Sequence, residues 1–159
     1  MSKNSRLAVA MATTLAATAL VVAPAGATKV GSGAPKKDSG TVFASITHTK
    51  HGLEIAAGNN YDKVLGEGAV TYQLKIVSSN GTTKVKVPKV VLFTPTGSLT
   101  GTASATVTST ASTQTISNGK LNLTKGSGSL KGAKFAGTFT GTADLAKNLI
   151  QFHYKGTLS

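Results

Sequence analysis

The side chains best suited to chemistry lie close together in one stretch of the chain. Two carboxylates, Asp62 and Glu67, flank Lys63-Val64-Leu65-Gly66, and Tyr61 and Tyr72 place phenols on either side. Paired carboxylates beside a glycine-containing loop could transfer protons at the mouth of a barrel. Carboxylates in such loops more often accept hydrogen bonds from backbone amides or pair with lysine. We therefore treat Tyr61, Asp62, Glu67 and Tyr72 as candidate polar residues at a barrel mouth and assign no catalytic residue.

A second constellation has the spacing of metal ligands. His48, His51 and Glu54 form an H-x-x-H-x-x-E pattern, which would converge on zinc if it lay on a helix. Here the pattern spans the end of a predicted strand and a turn, so we interpret it as a polar turn and predict no metal site. The chain has no cysteine, which excludes thiolate ligands and thiol catalysis. It also has no phosphate loop, dinucleotide fingerprint or serine elbow, and we expect no cofactor.

The charge of the chain is strongly unbalanced towards lysine. Lysine and arginine together number 17 against 5 acids, which gives a formal net charge of +12. Arg6 is the only arginine, and base-specific reading of nucleic acid favours the arginine fork. Lysine alone gives diffuse attraction to anions, so we expect association with an anionic cell-wall polymer and no sequence-specific nucleic acid. A lysine-rich surface that only keeps the protein soluble is the alternative.

The first 27 residues have the pattern of a secretory signal peptide. A short basic head is followed by an apolar, alanine-rich run and then by the cleavage site Ala25-Gly26-Ala27. We predict cleavage after Ala27 and a secreted or extracytoplasmic bacterial protein. Residues 28–40 are rich in Gly, Ser, Pro and Lys and predict a flexible linker. Residues 41–159 are predicted to form a single domain.

Apolar and polar residues alternate through most of this domain, as they do on half-buried strands. The two Asn-Gly pairs, Asn80-Gly81 and Asn118-Gly119, predict two-residue hairpin turns. Gly58-Asn59-Asn60 is predicted to be a loop. The predicted strands include residues 41–48, 53–57, 68–77, 82–94, 97–108, 113–117, 120–125, 134–142 and 150–158.

The C-terminal third predicts how the sheet closes. Phe135, Gly137, Phe139 and Gly141 share one face of a strand, and this alternation of large and absent side chains suits the interior of a small barrel. Glycines within strands also permit bends, so we interpret the glycine motif as structural. It comprises Gly126, Gly128, Gly132, Gly137 and Gly141. With no helical periodicity after the signal peptide, we predict an all-β fold, an antiparallel β-barrel of about eight strands.

Two segments of this third resemble the closing part of the allene oxide cyclase/dirigent-like barrels. The family's G-[ST]-G-x-[FL]-x-x-A segment matches Gly126-Ser127-Gly128-Ser129-Leu130-Lys131-Gly132-Ala133, and its final F-x-x-K-G matches Phe152-His153-Tyr154-Lys155-Gly156. Where the family has its next glycine, this chain has Phe135, which is a departure from the family pattern. The resemblance implies an eight-stranded barrel with an apolar cavity, assembly as a homo-oligomer, and action on reactive lipid or phenolic intermediates. It transfers no catalytic residue, because the earlier strands do not align.

Three functions follow from these patterns. The first is a non-catalytic protein that binds a small apolar ligand or associates with the anionic cell envelope. The second is a cofactor-free isomerase or cyclase, and the third is a cationic adhesion protein with a filled interior. An apolar pocket of at least ~300 Å³ with a few polar groups would favour the first two, and a packed interior would favour the third.

Overall fold

The protein folds into a closed antiparallel β-barrel, as predicted. The computed structural model describes residues 34–79, 82–110 and 112–159. Each strand pairs with the next along the chain, and the last strand pairs with the first, so that no sheet edge is left. The predicted signal peptide, residues 1–27, and residues 28–33 of the predicted linker lie outside the described residues. The strands are β1 (Lys36–Lys50), β2 (Leu53–Asp62), β3 (Gly66–Ser79), β4 (Thr82–Thr94), β5 (Gly97–Ser109), β6 (Thr113–Gly128), β7 (Phe135–Asp144) and β8 (Leu149–Leu158).

Alternation along the strands fills the barrel interior. On β7 the predicted inward face of Phe135 and Phe139 is confirmed, and the predicted strand at residues 150–158 is β8. Phe135 and Tyr154 of these strands are almost fully buried and pack edge to face, with their ring centroids 5.6 Å apart. Phe139 and Phe152 lie against the same core, 5.4 Å apart. Gly137 keeps space for this packing, because a Cβ there would lie 2.8 Å from the Phe135 ring and 2.4 Å from the carbonyl oxygen of Lys155.

One end of the barrel, which we call the closed end, is covered by the connection between β6 and β7. Gly128 and Gly132 have positive φ angles of 61° and 87° there, which allow residues 129–134 to turn across the opening. Leu130 and Ala133, which belong to this connection, are fully buried. At the opposite end, which we call the open end, β1, β3, β5 and β7 finish and the next strands begin.

Three local predictions are wrong. Asn118-Gly119 does not turn a hairpin but lies in a bulge within β6, where Asn118 has φ 52° and the register with β7 shifts. A positive φ suits a bulge as well as a hairpin turn, so the dipeptide alone does not distinguish them. Gly58-Asn59-Asn60 continues β2 instead of forming a loop. β1 begins at Lys36, so residues 36–40 of the predicted linker belong to a strand.

The other predicted hairpin is consistent with the pairing of its flanking strands. Ser79 pairs with Thr82, which leaves two residues for the connection between β3 and β4. The turn itself, Asn80-Gly81, lies outside the described residues.

Candidate functional site

The barrel encloses an apolar cavity with a volume of about 340 Å³. Its wall is built from inward-facing residues of all eight strands, because alternate positions on each strand point to the axis. Val70, Leu92 and Leu123 lie deep in the wall, and each is at most 5% exposed. Leu145 and Leu149 line the cavity from either side of the turn between β7 and β8, which places the mouth at the open end.

The cavity wall carries one hydroxyl group with no protein partner. Tyr72 lies on β3, is 7% exposed, and packs its ring edge to face against Phe152 at 6.2 Å. Its hydroxyl makes no hydrogen bond to any residue that the structure describes. Burial raises the pKa of the Tyr72 phenol, so it stays protonated and can only donate or accept as a neutral group. A buried, unpaired hydroxyl is unfavourable, which makes this atom the natural polar contact for a bound molecule.

The rim of the cavity is acidic or neutral. Glu54 and Asp144 line it, together with Gln114 and Asn148. Asp144 is paired with Lys147 at 3.3 Å, and its pKa is lowered, mainly because its carboxylate accepts the backbone N–H of Lys147. No lysine, arginine or histidine lines the cavity in the part of the chain that the structure describes.

One rim residue also fixes the shape of the mouth. The side-chain amide of Asn148 donates to the carbonyl oxygen of Ile46 at 2.8 Å and accepts from the Ile46 N–H at 3.0 Å. These two bonds tie the turn between β7 and β8 to β1, beyond the last β1–β8 backbone pair at Ala44 and Ile150. Asn148 therefore joins β1 to the turn before β8 at the mouth, where the backbone hydrogen bonds between these two strands end.

A buried polar cluster lies between the cavity and the closed end. The hydroxyl of Tyr154, whose ring lines the cavity, lies 2.5 Å from Asp62 Oδ2 and 2.9 Å from Asn60 Oδ1. A phenol has one proton, so it donates to one of these oxygens at a time. The other Asp62 oxygen accepts the backbone N–H groups of Val64 and Leu65 at 2.8 and 2.7 Å.

Asp38 completes this cluster. Its side chain is 4% exposed, and Oδ2 has no hydrogen-bond partner among residues 34–79, 82–110 and 112–159. Burial, reinforced by the nearby charge of Asp62, raises the pKa of Asp38 to about 6. The same burial and the hydrogen bond to Asp62 raise the pKa of Tyr154. The cluster cross-links β1, β2 and β8, and Asp62 also holds the turn that follows β2.

The four candidate residues from the sequence are not brought together. Tyr72 alone lines the cavity, whereas Asp62 lies in the buried cluster near the closed end. Tyr61 is 43% exposed on the outer wall, with its ring 6.0 Å from that of Phe43, and Glu67 lies opposite it on β3, also exposed. Sequence reasoning missed the role of Tyr154, although its position on the inward face of β8 was visible. It could not pair Tyr154 with Asn60, which is 94 residues away.

The side chains of His48, His51 and Glu54 lie in three different surroundings. His48 bonds Thr47 at 3.1 Å on the exposed side, His51 is exposed in the turn, and Glu54 lines the cavity. Across the described ranges, no group of three or more His, Cys, Asp or Glu could hold a metal ion. Within the same residues, no helix has the length and apolar character needed to cross a membrane.

Comparison with known proteins identifies no relative. No protein-family model, no curated protein and no solved structure matches the chain. The function is therefore argued from the cavity and the surface alone.

Proposed function

We propose that the protein binds a small apolar ligand inside its barrel without transforming it. The observation that carries this proposal is the apolar cavity of about 340 Å³ with the unpaired Tyr72 hydroxyl in its wall. Pockets for small molecules are typically apolar, with a few polar groups that fix the orientation of the ligand. A barrel filled by its own side chains, as an adhesion protein would have, lacks such a space.

The wall also restricts the chemistry of the ligand. A carboxylate or phosphate buried in the cavity would face no lysine, arginine or histidine of the described chain, and an unpaired buried charge is costly. The ligand is therefore neutral along its buried part. It carries an oxygen that accepts from Tyr72, such as a ketone, ester or ether. Glu54 at the rim favours a neutral or positively charged group emerging at the mouth.

The family resemblance supports the same function. We propose that the chain is an exported member of the allene oxide cyclase/dirigent-like barrels, which enclose apolar cavities. The closed eight-stranded antiparallel barrel is compatible with this family. We favour binding over cyclisation, because the four candidate polar residues do not converge on the cavity and Tyr72 is the one among them that lines it.

Titration with the uncharged dye N-phenylnaphthylamine tests the proposal. We expect wild-type protein to enhance the fluorescence of the dye saturably. Ala105→Phe places a ring in the cavity and should abolish the enhancement, because Ala105 lines the wall and is 8% exposed. Thr108→Phe adds the same ring on the exposed side of the same strand and should leave cavity binding unchanged. Equal binding by Ala105→Phe and wild type would refute a ligand in the barrel.

A further inference from the structure

A row of exposed residues runs round the outer wall across six neighbouring strands. Register fixes its order, since each member pairs with the next one on the adjacent strand. We call it the lysine row; it consists of Lys75, Lys86, Ser104, Lys120, Thr138 and Lys155. All of its members are exposed.

The charges in this row are not compensated. Lys75 lies directly opposite Lys86, and like charges at opposed positions destabilise a sheet. Within the described residues the single ion pair joins Lys147 to Asp144, outside the row. None of the five acids pairs with the row: Asp38 and Asp62 are buried near the closed end, and Glu54 and Asp144 line the cavity. Glu67 is exposed at the start of β3, opposite Tyr61 and at the closed end of the barrel. The unfavourable pairing of Lys75 with Lys86 is not offset by an acid of the described chain. We take this to indicate a partner that supplies negative charge to the row.

The otherwise convex outer wall carries a local depression where the row crosses β4 to β6. Lys86 and Lys120 flank a depression of about 370 Å³, with Thr102 and Ser104 between them. Pro88 lies in the same depression, at the point where the register between β4 and β5 shifts between Val87 and Val90. Two lysines and two hydroxyl-bearing residues therefore line one recess, and their side chains are a donor set suited to phosphate oxygens.

From this arrangement we infer that the lysine row binds a flexible polymer bearing phosphate groups along its length. Neighbouring strands are about 4.8 Å apart, so successive lysines in the row are separated by about 5 or 10 Å around the wall. A flexible chain can follow this curvature over all six strands. A flat membrane or a rigid duplex touches a convex wall along only part of it. Lysine without arginine gives charge attraction without base reading. The inference is independent of the ligand in the cavity.

Binding of inorganic polyphosphate to the full chain tests the inference. The variant Lys75→Gln/Lys86→Gln/Lys120→Gln should bind about tenfold more weakly than wild type. The slope of log K against log salt concentration should become shallower by about two units, because three phosphate contacts are lost. The control Lys50→Gln/Lys63→Gln/Lys131→Gln removes the same charge from exposed positions outside the row and should keep most of the affinity.

The outcomes distinguish binding by the lysine row from attraction by net charge, and binding of polyphosphate from binding of other anionic partners. Equal losses in the row variant and the control would show that net charge alone drives binding, and would overturn the inference. So would tighter, row-dependent binding to anionic lipid vesicles or to duplex DNA than to polyphosphate. Thermal unfolding of both variants reports whether a loss reflects misfolding. Neither triple variant changes the cavity wall, so both should bind N-phenylnaphthylamine as wild type does. Failure of the polymer inference and failure of the ligand proposal can therefore be told apart.

Discussion

At the scale of single residues, two buried polar groups have different consequences. Tyr72 carries an unpaired hydroxyl into an apolar cavity, and Asp38 carries an unpaired carboxyl oxygen into a polar cluster. Each leaves hydrogen-bonding capacity unused, which destabilises the unliganded fold. The first has space beside it for a ligand. The second lies near another acid, and its effect therefore depends on pH.

Tyr72→Phe should separate stability from ligand recognition. Removing a buried hydroxyl without a partner is expected to raise the free energy of unfolding of the ligand-free protein by about 1 kcal/mol. The same change should weaken a ketone or ester ligand severalfold and leave a hydrocarbon of the same shape unaffected. Denaturant unfolding and calorimetric titration measure the two effects. Unchanged affinity for both ligands would show that Tyr72 does not contact the bound molecule.

Asp38 should make the protein less stable as pH rises from about 4 to about 6. Its pKa is raised to about 6 in the folded state, from 3.8, so the folded protein holds a proton that the unfolded chain has lost in this window. Above pH 6 the loss is complete, at about 1–2 kcal/mol after allowance for solvent screening.

The variant Asp38→Asn tests this assignment. Asparagine keeps the shape of the side chain and cannot ionise, so the variant should be more stable than wild type at pH 7 and nearly equal to it at pH 4. Urea unfolding at a series of pH values measures the difference. A difference between variant and wild type that does not change with pH would contradict the assigned pKa.

At the scale of elements, alternation predicted most strands and local turn chemistry predicted less. The faces of β7 and β8 follow from period-2 patterns, because a one-residue slip would expose Phe135 and Tyr154. The hairpin turn predicted at Asn118-Gly119 was wrong because hairpin turns and bulges both use a positive φ. The loop predicted at Gly58-Asn59-Asn60 was wrong because Asn60 is buried against Tyr154, a partner that no local pattern identifies.

The connection across the closed end should contribute strongly to stability. Leu130 is fully buried there, so Leu130→Ala is expected to lower the free energy of unfolding by about 2–4 kcal/mol. Val64→Ala, at a 40% exposed position of the same end, should change it by less than about 0.5 kcal/mol. Because Leu130 does not line the cavity, the folded Leu130→Ala variant should keep its ligand affinity. Equal effects of the two substitutions would mean that the connection does not cover the core.

At the scale of the whole molecule, charge and apolar surface are segregated. The cavity is apolar with acids at its rim, while the lysines of the lysine row lie on the outer wall. The sequence predicts a basic barrel, since composition and alternation are local properties. It does not predict that Asp62 and Tyr72 would be separated, or that lysines far apart in the chain would share one row. Those features depend on the register between strands, which is set by closure.

The central claim is that a small apolar ligand binds inside the barrel. Methyl NMR spectra of the protein, recorded with and without saturating N-phenylnaphthylamine, test it most directly. We predict shifts of Val70, Leu92 and Leu123, which line the cavity, and little change at Leu130 beneath the closed end. Shifts confined to exposed methyl groups outside the cavity, for example at Val64, with unchanged cavity methyl signals would contradict the account.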